Sequence, residues 1–120
     1  MNYELNSPNI IEWLDEQTNE TLDMLEFGVV KMNIDGIVLH YNTAETQIAG
    51  VKKEKAIGKH FFTQIAPCTN NFMVAEKYKQ EVLDEEVPYI FTFVTQPIMV
   101  VLRLLKGTKG YQYLLVKKTY

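Results

Sequence analysis

The C-terminal part of the chain, from Pro88 onward, constrains the fold more than any other region. It contains three β-rich segments, "YIFTFVT", "IMVVLRLL" and "YQYLLVKK", which are separated by "QP" and by "KGTKG". β-Branched and aromatic residues favour strands, whereas proline and glycine in short connections favour turns. Strands joined by such short connections run antiparallel, because a parallel crossover needs about a dozen residues or more. The sequence therefore predicts an antiparallel meander in this region.

A second β-rich region lies between Val29 and Tyr41. There, "VVKMN" and "IVLHY" flank "IDG", and an Asp-Gly pair between apolar runs is typical of a β-hairpin. The hairpin and the meander together give about five strands, which are too closely connected for a doubly wound parallel sheet. We therefore expect an α+β fold with a central five-stranded antiparallel sheet and short helices on one face.

Residues that start and stop helices predict two short helices before the hairpin. Ser7 followed by Pro8 favours a helix from about Pro8 to Glu16, since serine caps free amides and proline suits the first helical position. Asn19 is a candidate cap for a second short helix, with Gly28 as its stop. These segments predict an N-terminal helical cap.

Further helical segments are predicted between the hairpin and the meander. Asn42 and Glu45 have the spacing of a capping box, and Gly50 ends the helix that follows them. The stretch "KKEKAIGK" predicts a short helix or turn. The longest helix is expected from about Phe72 to Asp84, because Asn71 can cap it and apolar residues recur there at helical spacing.

The length and charge of the chain limit its organisation and its partners. A length of 120 residues, of which 47% are hydrophobic, fits one domain over residues 1–120. The net charge is −3 and Arg103 is the only arginine, so the chain lacks the basic stripe that follows a phosphate backbone. Its N-terminus lacks the blocks of a secretory signal, and no apolar run approaches the roughly 20 residues of a membrane span. We expect a cytoplasmic protein that binds neither nucleic acid nor membrane.

Cys68 is the only cysteine, which excludes an intrachain disulfide and leaves no convincing set of zinc ligands. It follows a proline in "IAPCTNN", a stretch too short and too polar at its end for a helix or strand interior. A free cysteine is commonly a small buried hydrophobic residue. It can also be a nucleophile with a nearby base, and His60 is close in sequence. The residues alone leave both interpretations open, since the common phosphate, zinc and serine-hydrolase motifs are absent.

Two stretches narrow the interpretation of this cysteine. "LEFGVVKMNIDGIVLHYNTAETQIAG" and "AIGKHFFTQIAPCT" resemble the photoactive yellow protein family, whose members are small blue-light receptors of the PAS fold. The resemblance covers nearly the whole chain and is densest from Phe27 to Thr69. It implies one PAS-type photosensor domain, in which residues 1–28 form the N-terminal helical cap and residues 29–120 form the PAS core.

The resemblance also implies a chromophore site. Cys68 would carry p-coumaric acid (4-hydroxycinnamic acid) as a thioester, while Tyr41 and Glu45 hydrogen-bond the buried phenolate at its far end. The other residues that the resemblance assigns to this pocket are Phe62, Ala66, Pro67, Thr69 and Phe93. Glu45 can donate to an anion only while it is protonated, so we expect its pKa to be raised.

In this family-based interpretation, light changes the packing of the domain. Isomerisation would draw a proton from Glu45, and the resulting buried carboxylate would loosen the fold, so that the helices before residue 28 detach first. The chain would then be a photoreceptor and not an enzyme. It would act as a monomer or weak dimer on an unidentified downstream signalling protein.

The chain departs from the family pattern at three places near the expected pocket. Val51 stands where relatives commonly have an arginine, and Ala49 stands where relatives often have a threonine that bonds the pocket tyrosine. The connection near Gln96 and Pro97 is also several residues shorter than usual. From these differences we expect slow dark recovery of the photoreceptor.

Simpler interpretations of the same residues stay open at this point. Glu45 could serve only as the capping-box partner of Asn42, and Tyr41 could be a half-buried aromatic residue at a sheet edge. The domain could be a PAS-type module that binds a protein or another small ligand without a chromophore. A cysteine-dependent enzyme would require His60 to reach Cys68.

Overall fold

The computed structural model describes residues 3–92 and 96–119, and one five-stranded antiparallel sheet organises this part of the chain. The strands are β1 (Gly28–Met32), β2 (Val38–Tyr41), β3 (Leu83–Phe91), β4 (Ile98–Lys106) and β5 (Gln112–Lys118). Their order across the sheet is β2-β1-β5-β4-β3, so that β2 and β3 lie at the two edges. All four neighbouring pairs are antiparallel, which confirms the predicted hairpin and the predicted meander.

Short helices occupy the connections. They are α1 (Ile10–Asp15), α2 (Asn19–Leu22), α3 (Thr43–Ala49) and α4 (Lys53–Ala56), with a π-helical turn at Phe61–Ile65 and 3-10 turns at Pro67–Thr69 and Ala75–Lys79. The prediction of α3 is confirmed, because the Asn42 side chain accepts from the Glu45 amide and Gly50 ends the helix in the left-handed conformation (φ 74°). No helix in the described ranges is both long and apolar enough to cross a bilayer.

The two N-terminal helices are shorter than predicted. The first begins at Ile10, because Asn9 adopts a left-handed conformation (φ 55°) at its start and the Ser7 hydroxyl accepts from the Glu4 amide instead of capping the helix. The second is capped by Thr18 rather than Asn19. The prediction that Gly28 stops this helix is wrong, since Gly28 is the first residue of β1.

The prediction of a long helix from Phe72 to Asp84 is also wrong. Only Ala75–Lys79 is helical there, as a 3-10 turn, and β3 already begins at Leu83. The ends of the supposed apolar stripe, Phe72 and Val82, are 77% and 78% exposed and stabilise no helix through burial. Nine residue pairs join β3 to β4 instead. Long-range pairing therefore overrides the local helical spacing.

The two faces of the sheet carry separate apolar clusters. One face packs under α3, α4 and the later helical turns, and the sheet residues in this cluster include Val30, Met32, Leu102, Leu104, Leu114 and Val116. The other face is covered by the N-terminal segments, in a cluster that includes Leu5, Ile10, Leu14, Leu22, Val29, Leu105, Tyr113 and Leu115. This arrangement confirms the expected α+β fold with short helices on one face and an N-terminal helical cap. The division into a cap and a core at residue 28 stays a prediction.

Candidate functional site

Asn42 joins the end of β2 to the start of α3. Its side-chain oxygen accepts from the amides of Val29 (2.8 Å) and Glu45 (3.0 Å). Its side-chain amide donates to the carbonyl oxygens of Leu22 (2.8 Å) and Phe27 (3.1 Å). All four hydrogen-bonding positions of this buried side chain are used, so that the first turn of α3 is fixed against β1 and against the segment that follows α2.

Tyr41 and Glu45 lie on either side of this junction. Both side chains are fully buried, and among the described residues the Tyr41 hydroxyl and both Glu45 carboxyl oxygens have no hydrogen-bond partner. Most buried polar atoms in proteins are paired, because an unpaired one costs roughly 1–3 kcal/mol. Three such atoms at one junction indicate a place where a polar ligand group would bind.

The simpler interpretations of these two residues are wrong. A capping box would require the Glu45 carboxyl to accept from the Asn42 amide, but that amide donates to the Val29 carbonyl oxygen at 3.0 Å. Tyr41 is not a half-buried aromatic residue, since its exposed fraction is 0% even though β2 is an edge strand.

Burial controls the protonation of both groups. It raises the pKa of the Glu45 carboxyl well above its ordinary value, because a charged carboxylate loses its hydration in the interior. Burial also raises the pKa of Tyr41, and the neighbouring Glu45 raises it further. Both shifts favour the protonated, neutral forms of Glu45 and Tyr41, whose hydroxyl groups suit an anionic acceptor.

Gly28 lies directly against Glu45. A methyl group built on Gly28 would clash with Glu45 Oε1 and lie 3.1 Å from Glu45 Cβ. The absence of a side chain on Gly28 is therefore what lets the carboxyl approach β1. The sequence analysis missed this role, because the contact joins residues 17 positions apart and no local pattern signals it.

Cys68 lies in the 3-10 turn Pro67–Thr69. Its side chain is half-buried and packs against the apolar cluster that contains Tyr41, Phe62 and Ala66. The neighbouring Thr69 is buried, and its hydroxyl donates to the Ala66 carbonyl oxygen at 2.6 Å. The structure thus places four of the eight expected site residues in or against one apolar cluster, namely Tyr41, Phe62, Ala66 and Cys68.

Two expected site residues remain. Pro67 begins the 3-10 turn and is exposed, so its ring forms no buried wall. Phe93 lies outside the described residues. Sequence analysis also missed Tyr89 and Asn71, whose side chains both contact the carbonyl oxygen of Cys68.

His60 is engaged elsewhere. Its Nδ1 atom accepts from the Thr63 amide at 3.2 Å and pairs with the Thr63 hydroxyl at 3.0 Å. None of the hydrogen bonds within residues 3–92 and 96–119 joins His60 to Cys68. The geometry therefore gives no support to a histidine base acting on the thiol.

Comparisons with known proteins identify the family of the chain. No protein-family model matches the chain. A photoactive yellow protein from Halochromatium salexigens is 30% identical over 111 residues, which cover 89% of each chain. Another photoactive yellow protein, from Rhodothalassium salexigens, is 30% identical over 96 residues and 77% of each chain. The chain belongs to the photoactive yellow protein family.

A solved structure supports the same assignment. The photoactive yellow protein domain of the sensor histidine kinase Ppr from Rhodospirillum centenum superimposes with a TM-score of 0.82 at 27% identity. The match covers 89% of this chain and 98% of that domain. Members of the photoactive yellow protein family are PAS-type photoreceptors that carry a chromophore. They form a family of sensory domains and not of enzymes.

Proposed function

We propose that the chain is a blue-light photoreceptor that carries p-coumaric acid on Cys68 as a thioester. One observation carries this proposal: the unpaired, buried hydroxyl and carboxyl groups of Tyr41 and Glu45 adjoin the apolar cluster against which Cys68 packs. A phenolate would accept hydrogen bonds from both groups. The aromatic part of the ligand would contact Phe62 and Ala66, with Pro67, Thr69 and Phe93 completing the site.

The donor groups fit a phenolate better than a neutral ligand. A buried anion is costly unless hydrogen-bond donors compensate for its lost hydration. The raised pKa of Glu45 keeps a proton on the carboxyl, so that Glu45 and Tyr41 both donate rather than repel. When bound, the group would supply visible absorption and a double bond that light isomerises.

Glu45 would convert illumination into a packing change. In the dark, it holds a proton beside the acceptor. After illumination, Glu45 would pass this proton to the phenolate oxygen of the bound group, and its carboxylate would remain buried without a counter-charge among the described contacts. Such a charge is unfavourable in the interior, so the less stable N-terminal cap, residues 1–28, opens and presents new surface to a downstream signalling protein.

The departures from the family pattern affect the return to the dark state. Ala49 is fully buried and cannot donate to the Tyr41 hydroxyl, and Val51 packs against the apolar cluster without a polar group. With fewer groups to stabilise the dark arrangement, recovery is slower than in relatives that have the threonine and the arginine. Flash photolysis of the loaded Ala49→Thr variant should show faster recovery than the wild type. Equal recovery in the two proteins would remove Ala49 as a cause.

The proposed function is tested by loading the purified chain with an activated ester of p-coumaric acid. We expect an increase in intact mass that corresponds to one thioester-linked group, together with a visible band that blue light bleaches. Cys68→Ala should show neither, while Cys68→Ser serves as a near-isosteric control for the fold. A wild type that takes up no group would contradict the proposal and favour a PAS-type module that binds another ligand or a protein.

A further inference from the structure

We propose that Tyr89 and Asn71 are positioning residues that set the direction of the Cys68 side chain. Neither residue was assigned to the site by the family resemblance. The inference deepens the proposed function, because the orientation of Cys68 would determine how an attached group meets Tyr41 and Glu45.

Three polar groups form a closed set of hydrogen bonds at Cys68, here called the anchor because it would carry the bound group. The Tyr89 hydroxyl and the Asn71 side-chain amide both donate to the Cys68 carbonyl oxygen, the latter at 3.0 Å. The same Asn71 amide donates its second hydrogen to the Tyr89 oxygen at 2.6 Å. The carbonyl oxygen thus accepts two bonds, the hydroxyl donates one and accepts one, and the amide donates both of its hydrogens.

The orientation of the Asn71 amide is fixed independently of Cys68. Its side-chain oxygen accepts from the backbone amides of Met73 (2.9 Å) and Val74 (3.2 Å). Backbone N–H groups can only donate, so the oxygen must face them and the nitrogen must face the Cys68 carbonyl. Asn71 therefore joins the anchor to the turn that replaces the predicted long helix.

Tyr89 joins the anchor to the sheet. It lies on the edge strand β3, where it pairs with Val100 of β4, and its ring packs edge-on toward Phe91 at 6.5 Å between centroids. The bond to Cys68 spans 21 residues of sequence. The other hydrogen bonds that the described residues of the Pro67–Thr69 turn make are local, such as the Asn70 amide donating to the Pro67 carbonyl oxygen at 3.0 Å.

These bonds act on the thiol through the backbone. Holding the Cys68 carbonyl fixes the peptide plane after the cysteine, while the Pro67 ring fixes the backbone dihedral one residue before it. The Cα–Cβ bond of Cys68 then has one direction, and rotation about χ1 is the main remaining freedom of the thiol. Tyr89 and Asn71 would orient the anchor without touching the attached group.

The test uses two variants that remove donors and keep shape. Tyr89→Phe deletes the hydroxyl but keeps the ring, and Asn71→Asp keeps the oxygen that binds Met73 and Val74 while removing the donor to Cys68. Tyr78→Phe is the matched control, because the Tyr78 hydroxyl also donates to a backbone carbonyl in the same cluster, that of Tyr113, at 2.6 Å. Thermal unfolding of each variant establishes that it is folded.

The first readout is the rate at which iodoacetamide alkylates Cys68 in the protein without added p-coumaric acid. We expect this rate to rise roughly two- to tenfold in Tyr89→Phe and Asn71→Asp, as loss of one hydrogen bond shifts local opening by about that factor. Tyr78→Phe should stay within about twofold of the wild type. Equal alkylation rates in Tyr89→Phe and Tyr78→Phe would overturn the inference.

The second readout is the absorption band after loading. A less restricted anchor gives a wider distribution of geometries, so we expect the band to broaden in Tyr89→Phe and Asn71→Asp but not in Tyr78→Phe. Unchanged bands in the first two variants would also count against the inference. If the wild type takes up no p-coumaric acid, the proposed function fails, and the alkylation rates still decide the positioning role by themselves.

Discussion

At the scale of single residues, Gly28 occupies a position where the Glu45 side chain leaves no room for a methyl group. We predict that Gly28→Ala displaces the carboxyl and lowers the free energy of unfolding by about 1–3 kcal/mol, since the added carbon would also lie 3.2 Å from the Glu45 Cα. Urea unfolding measures this loss. In the loaded protein, the visible band should also shift.

Gly107→Ala is the control for this substitution. A methyl group there would meet only the flexible end of Asp15, at 3.2 Å, and the side chain of Ile11 beyond it. We expect a smaller loss of stability and no shift of the band. Equal effects of the two glycine substitutions would mean that the contact with Glu45 is unimportant.

The buried proton of Glu45 predicts a pH-dependent stability. At a pH below the ordinary pKa of the Glu45 carboxyl, 4.5, this group is protonated in both the folded and the unfolded chain. Above it, only the unfolded chain ionises, because the folded pKa is raised. The free energy of unfolding should therefore fall as pH rises toward the folded pKa, by up to about 1.4 kcal/mol per pH unit.

Glu45→Gln removes this dependence. Urea unfolding of the unloaded proteins between pH 5 and pH 8 should show the wild type losing stability relative to the variant. Asp23 and Asp84 have lowered pKa values, so they stabilise the fold at a pH above their ordinary pKa of 3.8. Both residues are present in the wild type and in the variant, so their contributions cancel in the difference between the two proteins. If the free energy of unfolding changed with pH in the same way in the wild type and in Glu45→Gln, a buried, protonated Glu45 would be contradicted.

At the scale of secondary-structure elements, Asp23 joins the end of α2 to three other elements. Its carboxylate accepts from His40 Nε2 on β2 (2.9 Å), from the Thr43 amide of α3 (3.1 Å) and from Lys53 Nζ of α4 (3.1 Å). Partial burial disfavours the charge, but the bonds to His40 and Lys53 hold the pKa of Asp23 below its ordinary value. These bonds therefore attach the N-terminal cap to β2, the strand that carries Tyr41, and to α3 and α4.

We predict that Asp23→Ala loosens the N-terminal cap in the dark. The loss of these bonds should cost about 1–2 kcal/mol and speed amide hydrogen exchange of α1 and α2 more than that of β4 and β5. Exchange measured by mass spectrometry checks this, with the exposed Glu26→Ala as the control for loss of a carboxylate. Unchanged exchange in α1 and α2 would contradict the role of this junction.

Local chemistry predicts some elements well and others poorly. The caps of α3 and the hairpin follow from residues within a few positions of one another, so the sequence indicates them directly. The part of β3 before Tyr89 does not, because it begins with Leu83, continues with the acidic run 84–86 and contains Pro88. Such a strand is stable because it lies at the sheet edge beside β4, where a proline is tolerated.

The same distinction applies to the site. Tyr41, Glu45 and Cys68 were found through the family resemblance, and the structure adds the burial and the unpaired atoms that give two of them a physical role. The roles of Gly28 and Tyr89 were not predicted from the sequence, because their contacts with Glu45 and Cys68 span 17 and 21 residues. Contacts of this kind depend on how the chain packs, and neither a spacing rule nor a capping rule can reveal them.

At the scale of the whole molecule, one apolar cluster and the single arginine add to the contacts that hold the cap. Arg103 on β4 forms a two-point ion pair with Asp84 (2.8 and 2.9 Å). The third nitrogen of the Arg103 guanidinium, Nη1, donates to the carbonyl oxygens of Leu5 (2.9 Å) and Ser7 (2.6 Å). The N-terminal segment is thereby attached to the outer face of the sheet through backbone contacts.

We predict that illumination of the loaded protein opens this cap before the sheet. Amide hydrogen exchange in residues 5–22 should accelerate in the light, because α1 and α2 are only six and four residues long and depend on tertiary packing. Arg103→Lys, which cannot make the two-point contact, should speed exchange of the cap already in the dark and so reduce the difference between light and dark. Equal exchange of the cap in light and dark would contradict release of the cap as the signal.

The most direct measurement of the central claim is a light-minus-dark infrared difference spectrum of the loaded protein. The account predicts that blue light removes a protonated carboxyl C=O stretch that comes from Glu45, and that this signal is absent in Glu45→Gln. It also predicts a new carboxylate band of matching amplitude. A wild-type spectrum in which the carboxyl band persists through illumination would contradict the account.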